Sequence, residues 1–431
     1  MSGQNKNAAP TQLLRVAIAV SHPIQHFCPM YRALARDGRA AVTVLFGNLK
    51  GAEPYWDAKF GRLVDWGADV TEGFEWHALA GRDAGGLRSA WRRVRATWLM
   101  LGRIKPDVVV VYSYTQVVSV AAAIYAKLAG RRVVAITDSE LLAHRRLTIK
   151  LLKTVVVRMW LGLVDVLLTC GDENERYYEH YGFPRTRMVR CPFPIDEVTF
   201  RAAAEARGEQ RRATRLRLGI PERAFVILNV GKHIASKGQQ DLIRATAAAA
   251  TGDPEQGPWL LLIGDGPERD ALRSLARETG LRQIVFGGFV RPPELPQYYL
   301  AADLYVHPSL ADPHPLAITE AVCAGLPVVT TDRVGSVGAD DDVQPGRNGW
   351  VSPARDWASL GRLLSHLAAR PEALRDASAW SSRIYRGRDC GATVAGFVRG
   401  VYLAMGRPAP ESGSRQLKQL FARRIHTDAT S

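Results

Sequence analysis

The chain alternates short runs of branched apolar residues with helix-length amphipathic segments, and this alternation restricts the fold more than any other feature. The apolar runs are unbroken, as in "DVVVVYSY" at 107–114. Unbroken runs are typical of strands buried on both faces, which occur in parallel sheets covered by helices. A first series of runs lies at 15–21, 41–47, 107–114, 132–138 and 164–171. A second series lies at 225–231, 258–264, 283–290, 303–309 and 327–332.

A polar, Arg-rich stretch separates the two series. The length of 431 residues exceeds what one compact core usually holds and suits two domains. The sequence therefore predicts an α/β fold with two doubly wound, Rossmann-like domains. We predict a disordered N-terminus (1–14), a first domain (15–205), a linker (206–222), a second domain (223–380), return helices (381–406) and a basic tail (407–431).

Composition narrows the class of protein and of partner. Apolar residues make up 47% and charged residues 23%, as in soluble globular proteins. The net charge of +15 is compatible with anionic partners such as nucleic acid, an acidic membrane surface or phosphorylated substrates, although Arg on solvated helix faces is the more ordinary explanation. Five scattered cysteines indicate a reducing compartment. No signal-peptide pattern and no apolar stretch of about 18 residues occurs, so we predict a cytoplasmic protein.

Two loops of the second domain carry residues suited to a nucleotide. Lys232 and Lys237 follow a strand and precede a helix that begins near Gln239, where free backbone N–H groups and the helix dipole also attract phosphate. Glu320 lies about one turn inside the helix that follows "LADPHP", and a carboxylate there can accept both hydroxyls of a ribose. Lysines in surface loops and a glutamate near a helix start are also common without any ligand.

Taken in order, these loops resemble the nucleotide-binding domain of family-4 retaining glycosyltransferases, which have the GT-B architecture. The matching segments lie between residues 230 and 353. They are "VGKHIASKG", "GDGP", "FGGFV", "HPSLADPHPLAITEAVCAGLPVV" and "PGRNGWVSP". The first-strand loop, "SHPIQHFCPMYRALA", lacks glycine and resembles only a subgroup with His-Pro-Ile-Gln.

The resemblance implies a function and a set of residues. It implies transfer of a sugar from a nucleoside-diphosphate sugar, UDP- or GDP-linked, with retention of configuration and with neither a metal nor another cofactor. Lys232 and Lys237 bind the diphosphate, Glu320 the ribose, and Asp312 lies against the transferred sugar. The full set of implied donor residues is Gly231, Lys232, Lys237, Phe289, Val290, His314, Leu316, Ala317 and Glu320. The GT-B architecture further implies a cleft between the domains and a C-terminal helix that crosses back to the first domain.

The acceptor side matches the family more weakly. His22 and Asp138 follow strands of the first domain on the cleft side and are our acceptor-side catalytic candidates, together with Asp312 on the donor side. The segment 57–79 is rich in aromatic and acidic residues, as either a sugar-facing loop or a self-packed surface insertion would be. We expect a saccharide, lipid-linked or small-molecule acceptor. The positive charge fits an anionic membrane surface, reached through the first domain or the basic tail.

One departure weakens the resemblance, and three alternatives stay open. Asp312 replaces the glutamate usual in the family, and Pro313 and Pro315 follow it without backbone N–H groups. Some donor contacts must then be remade or lost. A nucleotide-sugar 2-epimerase of the same architecture and a non-catalytic partner module remain possible. A nucleic-acid binder would use the charge, but the sequence shows no matching motif.

Overall fold

The computed structural model describes residues 13–57, 61–64, 70–79, 86–142, 147–250 and 257–410, and the structural statements below concern these residues. Most of the predicted disordered N-terminus and of the predicted basic tail, namely 1–12 and 411–431, lies outside the described residues.

The first domain contains a seven-stranded parallel sheet in the order β5-β2-β1-β6-β7-β8-β9 and a separate antiparallel ribbon, β3-β4. Its central strands are the unbroken apolar runs, and both of their faces are buried. The strands are β1 (Leu14–Val20), β2 (Ala40–Phe46), β3 (Tyr55–Asp57), β4 (Arg62–Val64), β5 (Glu75–Ala78), β6 (Val108–Tyr112), β7 (Arg132–Thr137), β8 (Val166–Thr169) and β9 (Met188–Arg190).

The second domain contains a six-stranded parallel sheet in the order β12-β11-β10-β13-β14-β15. In each sheet the strand order reverses beside the first strand, and ligands of such sheets bind at the carboxyl ends of the strands near that point. The strands are β10 (Phe225–Val230), β11 (Pro258–Ile263), β12 (Ile284–Gly288), β13 (Leu304–His307), β14 (Val328–Thr331) and β15 (Gly349–Ser352).

Helices cover both faces of both sheets. The first-domain helices are α1 (Cys28–Asp37), α2 (Leu87–Ile104), α3 (Val117–Leu128), α4 (Leu147–Leu161) and α5 (Asp172–His180). The remaining helices are α6 (Glu197–Glu205), α7 (Arg207–Arg217), α8 (Gln239–Ala249), α9 (Arg269–Glu278), α10 (Pro296–Ala301), α11 (Leu316–Cys323), α12 (Trp357–Ala368), α13 (Pro371–Arg386) and α14 (Cys390–Ala404). On the first sheet, α2 to α5 pack on one face, whereas α1 and α14 pack on the other. No helix in the described ranges is both long and apolar enough to cross a bilayer.

The chain passes between the domains twice. The segment predicted as a linker contains α7, which packs on the second domain. The buried guanidinium of Arg215 in α7 donates to the Ala301 carbonyl at 2.9 Å and to the Asp303 carboxylate at 2.8 Å. After α13, the chain returns, and α14 packs against α1 and the first sheet as predicted.

A buried ion cluster also joins the two domains. The Arg388 guanidinium lies 2.6 Å from Asp342 and 3.2 Å from Asp341, and donates to the Cys170 carbonyl of the first domain at 2.9 Å. The backbone N–H of Asp172, at the start of α5, donates to Asp341 at 2.8 Å. Buried charges persist when they are paired and hydrogen-bonded in this way. The cluster therefore ties the loop before β15 to the first domain.

Candidate functional site

A cavity of about 500 Å³ lies in the cleft between the domains. Its second-domain wall is formed by loops at the carboxyl ends of strands, and its first-domain wall includes Gln25, His26 and Arg32. The predicted donor residues that line it are Gly231, Lys232, Lys237, Phe289, Val290, Leu316, Ala317 and Glu320. Residues far apart in the second half of the chain therefore meet around one space.

The loop that carries Lys237 requires a glycine. Gly238 has a φ of +70°, and a Cβ there would lie 2.0 Å from the Pro308 carbonyl oxygen. Only glycine accepts both the left-handed backbone and this close approach. The loop consequently packs against the chain leaving β13, which brings the Lys237 ammonium into an ion pair with Asp312.

Asp312 is buried and held as a carboxylate. It accepts hydrogen bonds from Lys237 and from His307 Nε2 at 2.9 Å. Burial by itself raises the pKa of this carboxyl, but the hydrogen bond from His307 and the charge of Lys237 outweigh burial and lower the pKa to about 2. Burial lowers the pKa of His307, so its neutral ring donates through Nε2 while Nδ1 lies 3.1 Å from the Tyr305 hydroxyl. Asp312 therefore supplies a permanent negative charge and cannot act as a general acid near neutral pH.

Glu320 has the opposite electrostatic character. Glu320 belongs to α11, and its carboxyl accepts a hydrogen bond of 2.6 Å from the Tyr299 hydroxyl. Burial raises the pKa of Glu320 to about 7, and the Tyr299 hydrogen bond only partly offsets it. Burial and the charges of both Glu320 and Asp312 raise the pKa of the neighbouring Tyr305. The two acids therefore differ in position and in pKa. Glu320 lines the cavity, whereas the predicted catalytic Asp312 does not line it and contacts the lining residues Lys237 and His307.

Lys232 makes a contact across the cleft that the sequence did not predict. Its ammonium lies 3.0 Å from the carboxylate of Asp57, which ends β3 of the first domain. The segment 57–79 therefore reaches the second-domain side of the cleft at its first residue, although 58–60 and 65–69 lie outside the described residues. The aspartate within an acid- and aromatic-rich segment was the available signal, but its partner is 175 positions away.

The start of α11 still offers backbone N–H groups to the cavity, although prolines precede it. Pro315 precedes the helix, and Leu316 and Ala317, its first residues, line the cavity. Backbone N–H groups of a first helical turn have no partner within the helix and can bind an anion. The prolines remove donors ahead of the helix but leave those of its first turn beside the cavity.

On the first-domain side, His26 lines the cavity instead of the predicted His22. The Nδ1 atom of His22 lies 2.7 Å from the Ser21 hydroxyl, and burial and the Lys50 charge lower its pKa. His26, one turn further on, lines the cavity. Burial and the neighbouring His22 lower the pKa of His26 to about 3, so this ring is neutral at physiological pH. His26 follows the His-Pro-Ile-Gln sequence directly, which is the signal that could have located it.

Asp138 of the first domain faces the second domain, and His314 of the second domain faces the first. Asp138 is solvent-accessible, but enclosure in the cleft raises the pKa of its carboxyl. His314 is buried away from the cavity, with Nε2 3.4 Å from Asp342, and so belongs to the interdomain ion cluster. Burial opposes protonation of His314, but Cys170 and the Asp342 carboxylate raise its pKa well above the usual value. Ligand atoms of His314, Asp341 and Asp342 lie within 4.8 Å of one another, yet the Arg388 guanidinium binds both carboxylates.

The cavity combines three kinds of recognition. The two lysines and the start of α11 suit a diphosphate, the Glu320 carboxyl suits a diol, and Phe289 and Val290 offer an apolar wall to a flat ring. Residues 210–381 match the family described as "Glycosyl transferases group 1". This match falls on the second domain and the helix that precedes it, and it covers less than half of the chain.

Whole proteins that carry related sequences include two kinds of glycosyltransferase. The chain is 29% identical over 288 residues to the GDP-mannose-dependent alpha-(1-6)-phosphatidylinositol monomannoside mannosyltransferase of Mycobacterium tuberculosis, covering 64% of this chain and 71% of that one. It is 31% identical over 225 residues to the D-inositol 3-phosphate glycosyltransferase of Acidothermus cellulolyticus, covering 49% of this chain and 48% of that one. This match thus spans about half the length of that relative.

Solved structures share the complete two-domain arrangement. Anabaena Alr3699/HepE in complex with UDP and glucose has a TM-score of 0.64 at 18% identity, covering 89% of this chain and 97% of that one. A glycosyltransferase from Rickettsia africae has a TM-score of 0.70 at 10% identity, covering 91% and 99%. The fold is therefore GT-B, as predicted.

Proposed function

We propose that the protein transfers a sugar from a nucleoside-diphosphate sugar to an acceptor in the cleft, with retention of anomeric configuration. The observation that carries the proposal is the cavity itself, which joins two lysines and a helix start to a protonatable carboxyl and an apolar wall. The lysines and the helix start suit the diphosphate, the carboxyl suits the ribose, and the apolar wall suits the base. On the first-domain side, Gln25 and His26 line the same cavity, and the proposed acceptor binds there.

The charges of the site match the demands of the reaction. Departure of the nucleoside diphosphate places negative charge on the phosphate, which Lys232, Lys237 and the first turn of α11 stabilise. The transferred sugar develops positive charge, which the ionised Asp312 offsets. Asp312 and Glu320 serve different parts of one donor, and neither is a glycosidase-type acid and nucleophile flanking one bond. The chemistry proposed here needs no divalent cation because the lysines supply the positive charge.

The donor and the acceptor are proposed from relatives. One similar protein is named for GDP-mannose and another was solved with UDP, so GDP- and UDP-sugars come first. Relatives are named for a phosphatidylinositol mannoside and for D-inositol 3-phosphate, so a phosphorylated or lipid-linked polyol joins saccharides as an acceptor class. We place the reaction at the cytoplasmic face of a membrane, with the protein bound peripherally.

A ligand screen tests the donor site. UDP, GDP and ADP, alone and as sugar conjugates, are added to the wild type and to Glu320→Ala in a thermal-shift assay. A ligand at a hundred times its dissociation constant stabilises the folded state by about 2.7 kcal/mol. We expect one nucleotide series to shift the wild type, and Glu320→Ala to need a higher concentration.

Product analysis then separates the reaction classes. Transfer is measured with the nucleotide sugar that binds, with and without D-inositol 3-phosphate or phosphatidylinositol vesicles, and the anomer of the product is read by NMR. Isomerised donor in the absence of acceptor would indicate an epimerase. Binding without hydrolysis or transfer would indicate a non-catalytic module, and no nucleotide shift would refute the donor site.

A further inference from the structure

The helix α4 on the outer side of the first domain exposes a row of large apolar side chains. One side of α4 packs on the sheet through Val157 and Trp160, which are buried. The other side is exposed although it is equally apolar. Its exposed side chains are Leu151 (63%), Leu152 (68%), Val155 (57%), Val156 and Met159 (72%). Single exposed apolar residues are ordinary, but five within three turns of one helix mark an interaction surface.

The helix α2 adds aromatic and basic residues to the same face of the sheet. It packs beside α3, where Trp98 Nε1 donates to the Ala121 carbonyl at 3.0 Å. Its outer side exposes Trp91 (72%) and Leu99 (55%). Between and beside them, at helical spacing, lie the exposed arginines Arg88, Arg92, Arg95 and Arg103. Tryptophan and leucine interleaved with arginine on one helix side are typical of helices that lie in a membrane interface.

The net positive charge of α2 and α4 indicates which kind of partner this face binds. Neither "LRSAWRRVRATWLMLGRI" of α2 nor "LTIKLLKTVVVRMWL" of α4 contains an aspartate or glutamate. A second copy of this face would bring like charges together, which disfavours a symmetric dimer through it. An anionic lipid surface satisfies both the cations and the apolar side chains, because the former pair with head groups while the latter enter the acyl boundary.

The position of the two helices relates this face to the cleft. The helix α2 follows β5, and α4 follows β7, so both begin at the carboxyl edge of the parallel sheet. That edge borders the cavity. We propose that α2 and α4 form a docking face for an anionic lipid bilayer, which holds the mouth of the cleft beside the membrane. The inference rests on the proposed peripheral location and assigns it to the first domain.

Vesicle flotation of the full chain tests the docking face. The vesicles are pure phosphatidylcholine or an equal mixture with phosphatidylglycerol. One variant removes charge (Arg88→Gln, Arg92→Gln, Arg95→Gln), and another removes apolar side chains (Leu152→Ser, Val155→Ser, Met159→Ser). The matched control carries Leu216→Ser and Arg212→Gln on α7, since Leu216 is 84% exposed and Arg212 is exposed too. A further variant lacks 411–431, and thermal unfolding shows that each protein is folded.

We expect the wild type and the control to bind the anionic vesicles, and both face variants to bind at least about tenfold more weakly. The charge variant also loses the preference for anionic over neutral vesicles. Equal binding by wild type and face variants, or loss of binding only on removal of 411–431, would overturn the proposal. A change from dimer to monomer in the face variants would assign the surface to a second copy instead. Nucleotide binding and transfer to soluble D-inositol 3-phosphate stay unchanged in the face variants, so failure of docking is distinguishable from failure of the proposed reaction.

Discussion

The protonation of Glu320 gives the sharpest test of the donor site. Burial raises its pKa from the ordinary 4.5 to about 7. Below pH 4.5 the carboxyl is protonated in both the folded and the unfolded chain. Between these two values the folded protein keeps a proton that the unfolded chain has lost, so stability falls as pH rises through this window. At 1.36 kcal/mol for each pKa unit, the loss amounts to about 3 kcal/mol.

The replacement Glu320→Gln removes this pH dependence while keeping an oxygen for the Tyr299 hydroxyl. We expect the free energy of unfolding of the variant, relative to wild type, to rise by about 3 kcal/mol between pH 4.5 and pH 8. Urea denaturation at several pH values measures the difference. Glu205→Gln, at an exposed position in α6, is the control and should show no such trend. A Glu320→Gln difference that is flat with pH would refute the buried, protonated carboxyl.

Nucleotide binding should release the proton that the Glu320 carboxyl carries. Ribose hydroxyls that donate to Glu320 stabilise its carboxylate and lower its pKa. Near pH 7, where about half of the empty sites are protonated, binding should therefore release about half a proton. Calorimetry in two buffers with different ionisation enthalpies measures the release. The ribose role is wrong if Glu320→Gln releases as many protons as the wild type.

Four further substitutions probe the surroundings of the cavity. Asp312→Asn should lower the free energy of unfolding by about 2 kcal/mol at pH 7, and the difference should shrink as pH falls through 3.8 towards 2, where the wild-type carboxyl becomes protonated. Asp57→Asn should bind UDP or GDP several-fold more tightly by calorimetry, because Asp57 competes with the diphosphate for Lys232, whereas Lys232→Gln should bind more weakly. Gly238→Ala should lower the free energy of unfolding by more than about 1 kcal/mol in urea, because its φ is positive and its Cβ has no space.

Each of these results has an outcome that contradicts it. An Asp312→Asn difference that is equal at pH 7 and pH 3 would mean that this carboxyl is not held ionised by its partners. If Asp57→Asn weakens nucleotide binding, Asp57 positions Lys232 for the ligand instead of competing with it. Gly219→Ala is the control for Gly238→Ala, since Gly219 also has a positive φ, of +67°, but nothing within 4 Å of a Cβ. Equal losses in the two variants would show that backbone strain alone matters.

Local patterns predicted the two sheets well because a strand buried on both faces must be apolar along its whole length. The same reasoning placed Lys232, Lys237 and Glu320 at one edge of the second sheet, since the carboxyl ends of parallel strands always meet there. The segment predicted as a linker contains α7, which packs on the second domain although its sequence is rich in arginine. Arg215 is buried only because Asp303 and the carbonyl of Ala301 pair with it.

The sequence by itself determined the α/β class, the two domains and the loops that border the cavity, because periodicity and strand order are local properties. The tertiary structure alone decided which side chains face each other across the cleft. It paired Lys232 with Asp57, brought His26 to the cavity and drew His314 into the interdomain ion cluster. It also shifted the pKa values of Asp312 and Glu320 in opposite directions, because the pKa of a buried carboxyl depends on partners that only the packed fold assembles.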